Sequence, residues 1–389
     1  MPWKECDKVS ERIKFIGRLL DGEKMSDLCK EFGISRVTGY KIQERYKAEG
    51  LRSLADKDRR PWRLANKTPA NVESVIISLK SQHPTWGAPK IWAYLERRHK
   101  NLKLPARSTV HAILDRNGLV KKKTGRKRFR AEGTLLSEAL KPNDIWCADF
   151  KGQFRMQNQK YCYPLTITDQ YSRYVLACEA LESVREHGAI ECFKRIFAEY
   201  GMPDKIRTDN GAPFSSRTLF GLSRLSVLWL RLGIAIERIE PGHPEQNGRH
   251  ERMHRTLKQT AANPPGNNLL QQQEMLETFM NIFNRERPHE GIGMQCPADI
   301  YVPSVKPYPS VLEDYDYSGH THTRMIQRNG TFRFKERKVF ISEVFAEQEV
   351  GITQIDEDIW CINFMGYDLG YFGENHQFNP AKNPFLLEN

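Results

Sequence analysis

The sequence changes its periodicity near residue 143. Before that point apolar residues recur at helical spacing, and after it they run continuously or alternate as strands do, so the chain has to build at least one all-helical body and one organised by a sheet. Charge divides at nearly the same place. Residues 1–130 carry 32 Lys/Arg against 14 Asp/Glu, whereas the remaining 259 residues carry 28 against 34. A basic front third joined to a slightly acidic remainder points to a polyanion-binding arm and a separate working part, and nucleic acid is the obvious polyanion. At 389 residues the chain also exceeds what one hydrophobic core organises, so several domains are expected.

In the front third, Val9, Ile13, Ile16, Leu19 and Leu20 trace a first helix, Ser26 heads a second, and Ser35 can cap a third after the Gly33-Ile34 turn. Helix, helix, glycine turn, helix predicts a helix-turn-helix domain over residues 1–55, its last helix aiming Arg36, Thr38, Lys41 and Gln43 at the major groove. A plain three-helix bundle has the same pattern, and the surrounding charge favours DNA. A second helical unit over 66–120, helix-turn-helix or winged-helix-like, has helices at 71–82, at 88–98 and from near Ser108, broken by Pro84 and Gly87. Arg107 and Ser108 are its candidate DNA contacts. The linker 121–140 places Lys121, Lys122, Lys123, Arg126, Lys127, Arg128 and Arg130 within ten residues. Such density suits displacement of counterions from DNA, with a merely soluble linker as the alternative.

From 141 to 305 the pattern predicts an α/β catalytic domain. Ile145 to Phe150 is apolar on both faces until Asp149, as a central strand is. Strands at 163–168 and 174–178 flank the turn Asp169 to Arg173; a helix over 183–200, a strand 205–208 running into Asp209, another helix, a strand near 234–239 and a helix from Asn247 follow. The order βββαβαβα is that of a ribonuclease-H-like fold, and a long helix at 269–285 comes after it. Over 320–389 alternation returns, with Arg328-Asn329-Gly330-Thr331 as a type I′ hairpin signal and strands at 359–364 and 367–372, which predicts a small SH3-like β-barrel. The eight cysteines, none spaced C-x-x-C, read as buried thiols. No apolar run is long enough to span a bilayer and no signal peptide opens the chain, so the expected place is the cytoplasm or nucleoid.

Asp149, Asp209 and Glu251, separated by 59 and 41 residues, stand at element ends that such a sheet would bring together. Hard Mg²⁺ or Mn²⁺ ions favour carboxylate ligands, and two ions can serve both oxygens of an in-line displacement at phosphorus. The segments Thr208-Asp209-Asn210-Gly211 and Pro241 to Lys258, read as P-x-H-P-x-x-N-G-x-x-E-R-x-H-R-T-L-K, closely resemble the motifs of integrase-core (retroviral-integrase-like, DDE) transposases of bacterial insertion sequences. The Asn284-Arg285-Glu286-Arg287-Pro288-His289 segment adds to the resemblance. It implies metal-dependent cleavage at the ends of a mobile element, exposing 3′-hydroxyls that attack target DNA. Carried over by motif position, Asp149, Asp209 and Glu251 are catalytic and ligate two Mg²⁺ or Mn²⁺ ions, with Asn210, His243 and Asn247 near the phosphate and Arg252, Arg255 and Lys258 on DNA. Glu245 competes for third ligand, but it precedes the helix and Glu251 matches the pattern better. The spacing from Asp209 to Glu251 exceeds that usual in the wider family, which implies an extended helix between them. Partners implied are element ends, target DNA and further copies of the chain in a dimer or higher oligomer.

Two other readings compete. His250-Glu251-Arg252-Met253-His254 satisfies the H-E-x-x-H zinc pattern of metalloproteases, with Glu274 or Glu277 as a third ligand, although Arg249, Arg252, Arg255 and Lys258 surround it with positive charge. A DNA-binding regulator with an inactive core would need the helical units alone.

Overall fold

The computed structural model describes residues 8–56, 67–120, 136–240 and 243–381, and the chain divides into two compact units, Met1–Pro69 and Ala70–Asn389. The cations expected of the 121–130 linker lie outside the described residues.

In the first unit, α1 (Lys8–Leu20), α2 (Met25–Glu31) and α3 (Arg36–Glu49) close over Phe15, Ile16, Leu28, Cys29, Ile42 and Leu54. Ser35 caps α3 as expected, its Oγ accepting the Thr38 N–H at 3.2 Å. The second helix starts earlier than expected: Lys24 holds the cap position and the Ser26 hydroxyl, inside the first turn, bonds Asp27 instead. Gly39 sits where α3 presses on its neighbours, since a Cβ there would lie 2.6 Å from Cys29 Sγ and 2.8 Å from Met25 Sδ.

The second unit begins with α4 (Ala70–Gln82), α5 (Ala88–Arg98) and α6 (Arg107–Arg116), wrapped around Ile76, Trp86, Ile91, Leu95, Val110 and Ile113. This helical body is packed onto the α/β part of the same unit. Ile282 joins its core, and Arg97 Nη1 reaches Asp299 Oδ2 at 2.5 Å.

The central sheet is built from β1 (Ile145–Phe150), β2 (Phe154–Arg155), β3 (Tyr161–Asp169), β4 (Val175–Leu181), β5 (Lys205–Thr208) and β6 (Ala235–Arg238). Its main strands lie in the order β4-β3-β1-β5-β6, with β1, β3 and β4 antiparallel and β5 and β6 parallel to β1. That is the ribonuclease-H-like arrangement. Helix α7 (Glu186–Tyr200) and α8 (Arg224–Arg231) cover one face through Phe193, Phe197 and Trp229, while α9 (Gly248–Thr260) and α10 (Leu269–Asn281) cover the other through Met253, Leu257, Leu276 and Phe279. Continuous burial along β1 follows from this two-sided cover. The helix between Asp209 and Glu251 is not extended as the resemblance implies: α8 has eight residues, and the additional length lies in the loops around it.

The C-terminal strands are β7 (His322–Met325), β8 (Thr331–Phe334), β9 (Arg337–Phe340), β10 (Glu349–Asp356), β11 (Ile359–Phe364), β12 (Tyr367–Phe372) and β13 (Phe378–Pro380). They do not close into the expected barrel. Among the described residues they form an open five-stranded sheet, β13-β12-β11-β10-β7, with β8 and β9 as a separate hairpin. The expected type I′ turn is also absent at Asn329-Gly330, where only Gly330 is left-handed; instead Lys335-Glu336 and Met365-Gly366 have positive φ at both central residues. This sheet shares its core with Leu222, Val227 and Leu230. The described cysteines are free and buried, and no helix among the described residues is long and apolar enough to cross a membrane.

Candidate active site

Strand register sets the first two carboxylates side by side. Ala148 on β1 pairs with Thr208 on the parallel β5, so Asp149, the next residue on β1, and Asp209, the first residue beyond β5, stand at neighbouring positions about 5 Å apart in the pairing direction. Gly211 explains part of the T-D-N-G motif: its N–H donates to Asp209 Oδ1 at 3.1 Å, and a Cβ there would stand 2.9 Å from Asp209 Oδ2. Asn210 explains another part, donating its amide to Ile239 O at 2.7 Å and so tying the loops after β5 and β6 together.

Glu251 lies exposed in the first turn of α9, on the side facing away from the core residue Met253. Its negative charge and that of Asp209 both act on Asp149. Burial, then Asp209 and Glu251, push the Asp149 carboxyl up to about 7, and burial raises Asp209 as well. Asp149 therefore responds to both other carboxylates, whereas the close group of ligand atoms among the described residues joins Asp149 to His250 and His254 and includes neither Asp209 nor Glu251.

A network that sequence reasoning did not anticipate holds Asp149 from behind. The Thr166 hydroxyl, opposite Asp149 on β3, donates to the Asp149 carbonyl at 3.0 Å and lies 2.7 Å from both His250 Nε2 and His254 Nε2. With its one proton committed, the hydroxyl accepts from both imidazoles, so each carries its proton on Nε2. His250 Nδ1 then accepts from the Thr168 hydroxyl at 3.0 Å, and His254 Nδ1 turns a lone pair towards Asp149 Oδ2, 3.8 Å away. Burial keeps both rings neutral, pushing His254 down to about 4 and His250 well below the usual histidine range. Half-buried Lys151, two residues beyond Asp149 on the same side of the chain, adds a cation whose own proton is weakened by burial and by Lys258. Strand alternation from Asp149 was the signal that could have found it.

The H-E-x-x-H pattern thus has a structural explanation. Its histidines do share a face, and with Asp149 they form a group whose ligand atoms lie within 4.8 Å of one another. The third member is Asp149, not Glu274 or Glu277, and both Nε2 atoms are engaged by Thr166.

The remaining candidates are dispersed. His243 is exposed beside Glu240, with 3.8 Å between Nε2 and Oε2, and Asn247 is buried at the N-cap of α9. The Glu245 side chain lies outside the described residues. Arg252, Arg255 and Lys258 are exposed along α9. On α3, Arg36, Thr38 and Lys41 are exposed and Gln43 half-buried, and the apolar Val37 and Tyr40 of the same helix are 64% and 53% exposed. On α6, Arg107 stacks over Trp92 at 4.6 Å and Ser108 is exposed.

Residues 139–244 and 232–297 match the integrase core domain family, residues 11–61 a helix-turn-helix domain and residues 38–114 a homeodomain-like domain. An uncharacterized protein of insertion element IS476 of Xanthomonas euvesicatoria is 24% identical over 67% of this chain and 78% of its own length. One of IS407 of Burkholderia multivorans is 23% identical over 58% and 78%. The Gag-Pol polyprotein of baboon endogenous virus is 24% identical over 57% of this chain, which spans only 12% of that polyprotein, as it spans 20% of the Pol polyprotein of feline endogenous virus ECE1. Among solved structures, the HTLV-2 integrase catalytic core in complex with magnesium is 17% identical over 42% of this chain and 99% of that one, with a TM-score of 0.34. A simian T-cell lymphotropic virus intasome in complex with a PP2A regulatory subunit covers 79% of this chain and 99% of that one, at 17% identity and a TM-score of 0.38. The fold and the family matches define an integrase core preceded by helix-turn-helix modules. More narrowly, the family matches and the insertion-element relatives make the chain similar to integrase-core proteins of bacterial insertion sequences.

Proposed function

We propose that this chain cuts DNA at the ends of its mobile element to free 3′-hydroxyls and joins those hydroxyls to target DNA. The observation that carries the reading is the register that sets Asp149 beside Asp209, with Glu251 acting on the same carboxylate. This all-oxygen, mutually repelling set fits hard dications, because positive charge at the site would relieve both the burial and the repulsion that lift Asp149. Asp149, Asp209 and Glu251 would hold Mg²⁺ or Mn²⁺, two ions in the reading favoured here. Bound there, such ions supply Lewis-acid stabilisation of the attacking and leaving oxygens in an in-line displacement at phosphorus.

The chain's own residues supply position. Thr166, His250 and His254 fix Asp149, Gly211 and Asn210 fix the Asp209 loop, and Lys151 and Lys258 offer charge to the strand being cut. Arg36, Thr38, Lys41 and Gln43 on α3 would read base edges, joined by Val37 and Tyr40 for thymine methyl groups. Arg107 and Ser108 open α6 at an end with no side-chain cap, which leaves N–H groups for a phosphate. Arg255 would follow the backbone, as would Lys121, Lys122, Lys123, Arg126, Lys127, Arg128 and Arg130. Joining two ends calls for at least a dimer on DNA, and a monomer on synapsed ends in light scattering would contradict that part.

Glu251→Gln tests the reading, because this exposed substitution leaves the packed face of α9 intact. The expected result is unchanged affinity for an end-bearing duplex with no release of a 3′-hydroxyl; cleavage at the wild-type rate would remove Glu251 from the site.

A further inference from the structure

Behind α9, on the side away from Glu251, a cavity of about 450 Å³ is lined by cations from four separate elements: Lys90 on α5, Arg173 in the β3–β4 turn, Arg249 and Arg252 on α9, and Arg287 beyond α10. We propose that this cavity is a binding pocket for a phosphate group of a nucleic-acid strand, with Lys90, Arg173, Arg252 and Arg287 as its donors. The proposal deepens the reading of the chain as a DNA-joining enzyme and rests on it for the source of the phosphate.

Bringing like charges together in a half-buried cleft is unfavourable without a counter-charge. Burial, then Arg287, push the Lys90 ammonium down to about 8, and burial lowers Arg287 to about 10 and Arg173 too. Among the described residues no carboxylate comes within 4.0 Å of Lys90, Arg173 or Arg287. Of the two acids lining the cavity, Asp169 is occupied by the Asn143 N–H and by the Ser172 N–H and hydroxyl, and Glu290 is exposed. Donors are left over. Arg173 Nε and Arg287 Nε are buried with no partner. An unpartnered buried donor costs about 1–3 kcal/mol, so two guanidinium donors in one cleft mark a site completed by a ligand rich in acceptor oxygens.

The backbone is shaped to keep these groups in place. Arg173 holds a left-handed φ of 66°, an unfavourable conformation for a side chain of its size. Gly291 lets the Arg173 guanidinium lie flat on the chain, since a Cβ there would stand 1.9 Å from Arg173 Nη2. Asn284 binds the Val175 backbone at 2.9 Å in both directions, which fixes the turn beyond α10 that carries Arg287. The Asn284 to His289 segment, which the carboxylate chemistry does not use, thereby acquires a role. Arg252 lies one residue from Glu251 on the same rigid helix, so a strand phosphate seated here would tie the DNA to the element that presents the third carboxylate.

Two substitutions that remove charge but keep most of the side chain, Lys90→Gln and Arg252→Gln, test the pocket in the full chain. Duplex affinity is measured against salt, and thermal stability is measured with inorganic phosphate at constant ionic strength. A fall of about one in the log–log salt slope for each substitution is the expected result. An unchanged slope with a phosphate-induced rise in Tm that only the wild type shows would make this a free-phosphate site and overturn the strand assignment. An unchanged slope with equal phosphate response in all three proteins would overturn the pocket itself. A wild type that binds no DNA would instead defeat the proposed function, leaving the phosphate response to decide the pocket alone.

Discussion

At the scale of single residues, the site turns on one hydroxyl. Thr166 connects the Asp149 backbone to two imidazoles, and replacing it with valine keeps the shape while leaving both Nε2–H groups unpaired. Thr166→Val is expected to raise the Mn²⁺ concentration for half-maximal cleavage by about 10- to 100-fold, as loss of a ligand-orienting partner does elsewhere. An unchanged metal requirement would mean that the network supports the fold only. Asp149 makes a second prediction through its proton. Its carboxyl ordinarily titrates near 3.8 and is raised to about 7 in the folded chain, so the native state holds the proton more tightly across that interval. Stability without divalent metal must then fall as pH rises from about 4 to about 7, and Asp149→Asn must lack that component. Urea melts of both proteins from pH 5 to 8 check it, and parallel curves would contradict the placement of Asp149. The carboxylates were legible in the sequence because they stand at fixed distances inside long motifs. Thr166 was not, because a threonine 17 residues away on a partner strand carries no local signal, whereas Lys151 was within reach of strand alternation from Asp149.

At the scale of elements, close packing and turn chemistry decide what was readable. Gly39 lets α3 lie against α2, so Gly39→Ala is expected to destabilise the first unit by about 1–3 kcal/mol in denaturant titrations of the full chain, with a matching loss of duplex binding. Full stability in that variant would show that α3 can move away from Cys29 and Met25 without cost. The α/β order was legible since β1 is buried on both faces and α7 ends at a left-handed Gly201, signals that are local and strong. The C-terminal barrel failed for the opposite reason. Strand alternation shows which residues point inwards but not whether the first and last strands meet, and here β7 and β13 remain separate edges. The hairpin signal failed because Asn-Gly need not be where the left-handed pair falls; Lys335-Glu336 takes it, held by the pairing of Phe334 with Arg337 across β8 and β9.

At the scale of the whole molecule, charge and chemistry are divided along the chain. The basic front third carries the helix-turn-helix matches, and the carboxylates lie in the integrase core. The charge asymmetry was legible from composition. The docking of the second helical body on the core through Arg97, Asp299 and Ile282 was not, since no periodicity encodes a contact some 200 residues apart. That docking also brings Lys90 to α9, which composition could not foresee. DNA joining by this chain requires Asp149 and Asp209 to act as one site. Its most direct test is strand transfer of a labelled duplex bearing the element's own ends into a plasmid, with Mg²⁺ or Mn²⁺, by wild type and by Asp209→Asn. Joined product from the wild type and none from a variant that still binds the ends is the result predicted; equal joining by both, or none by a wild type that binds the ends, would contradict it.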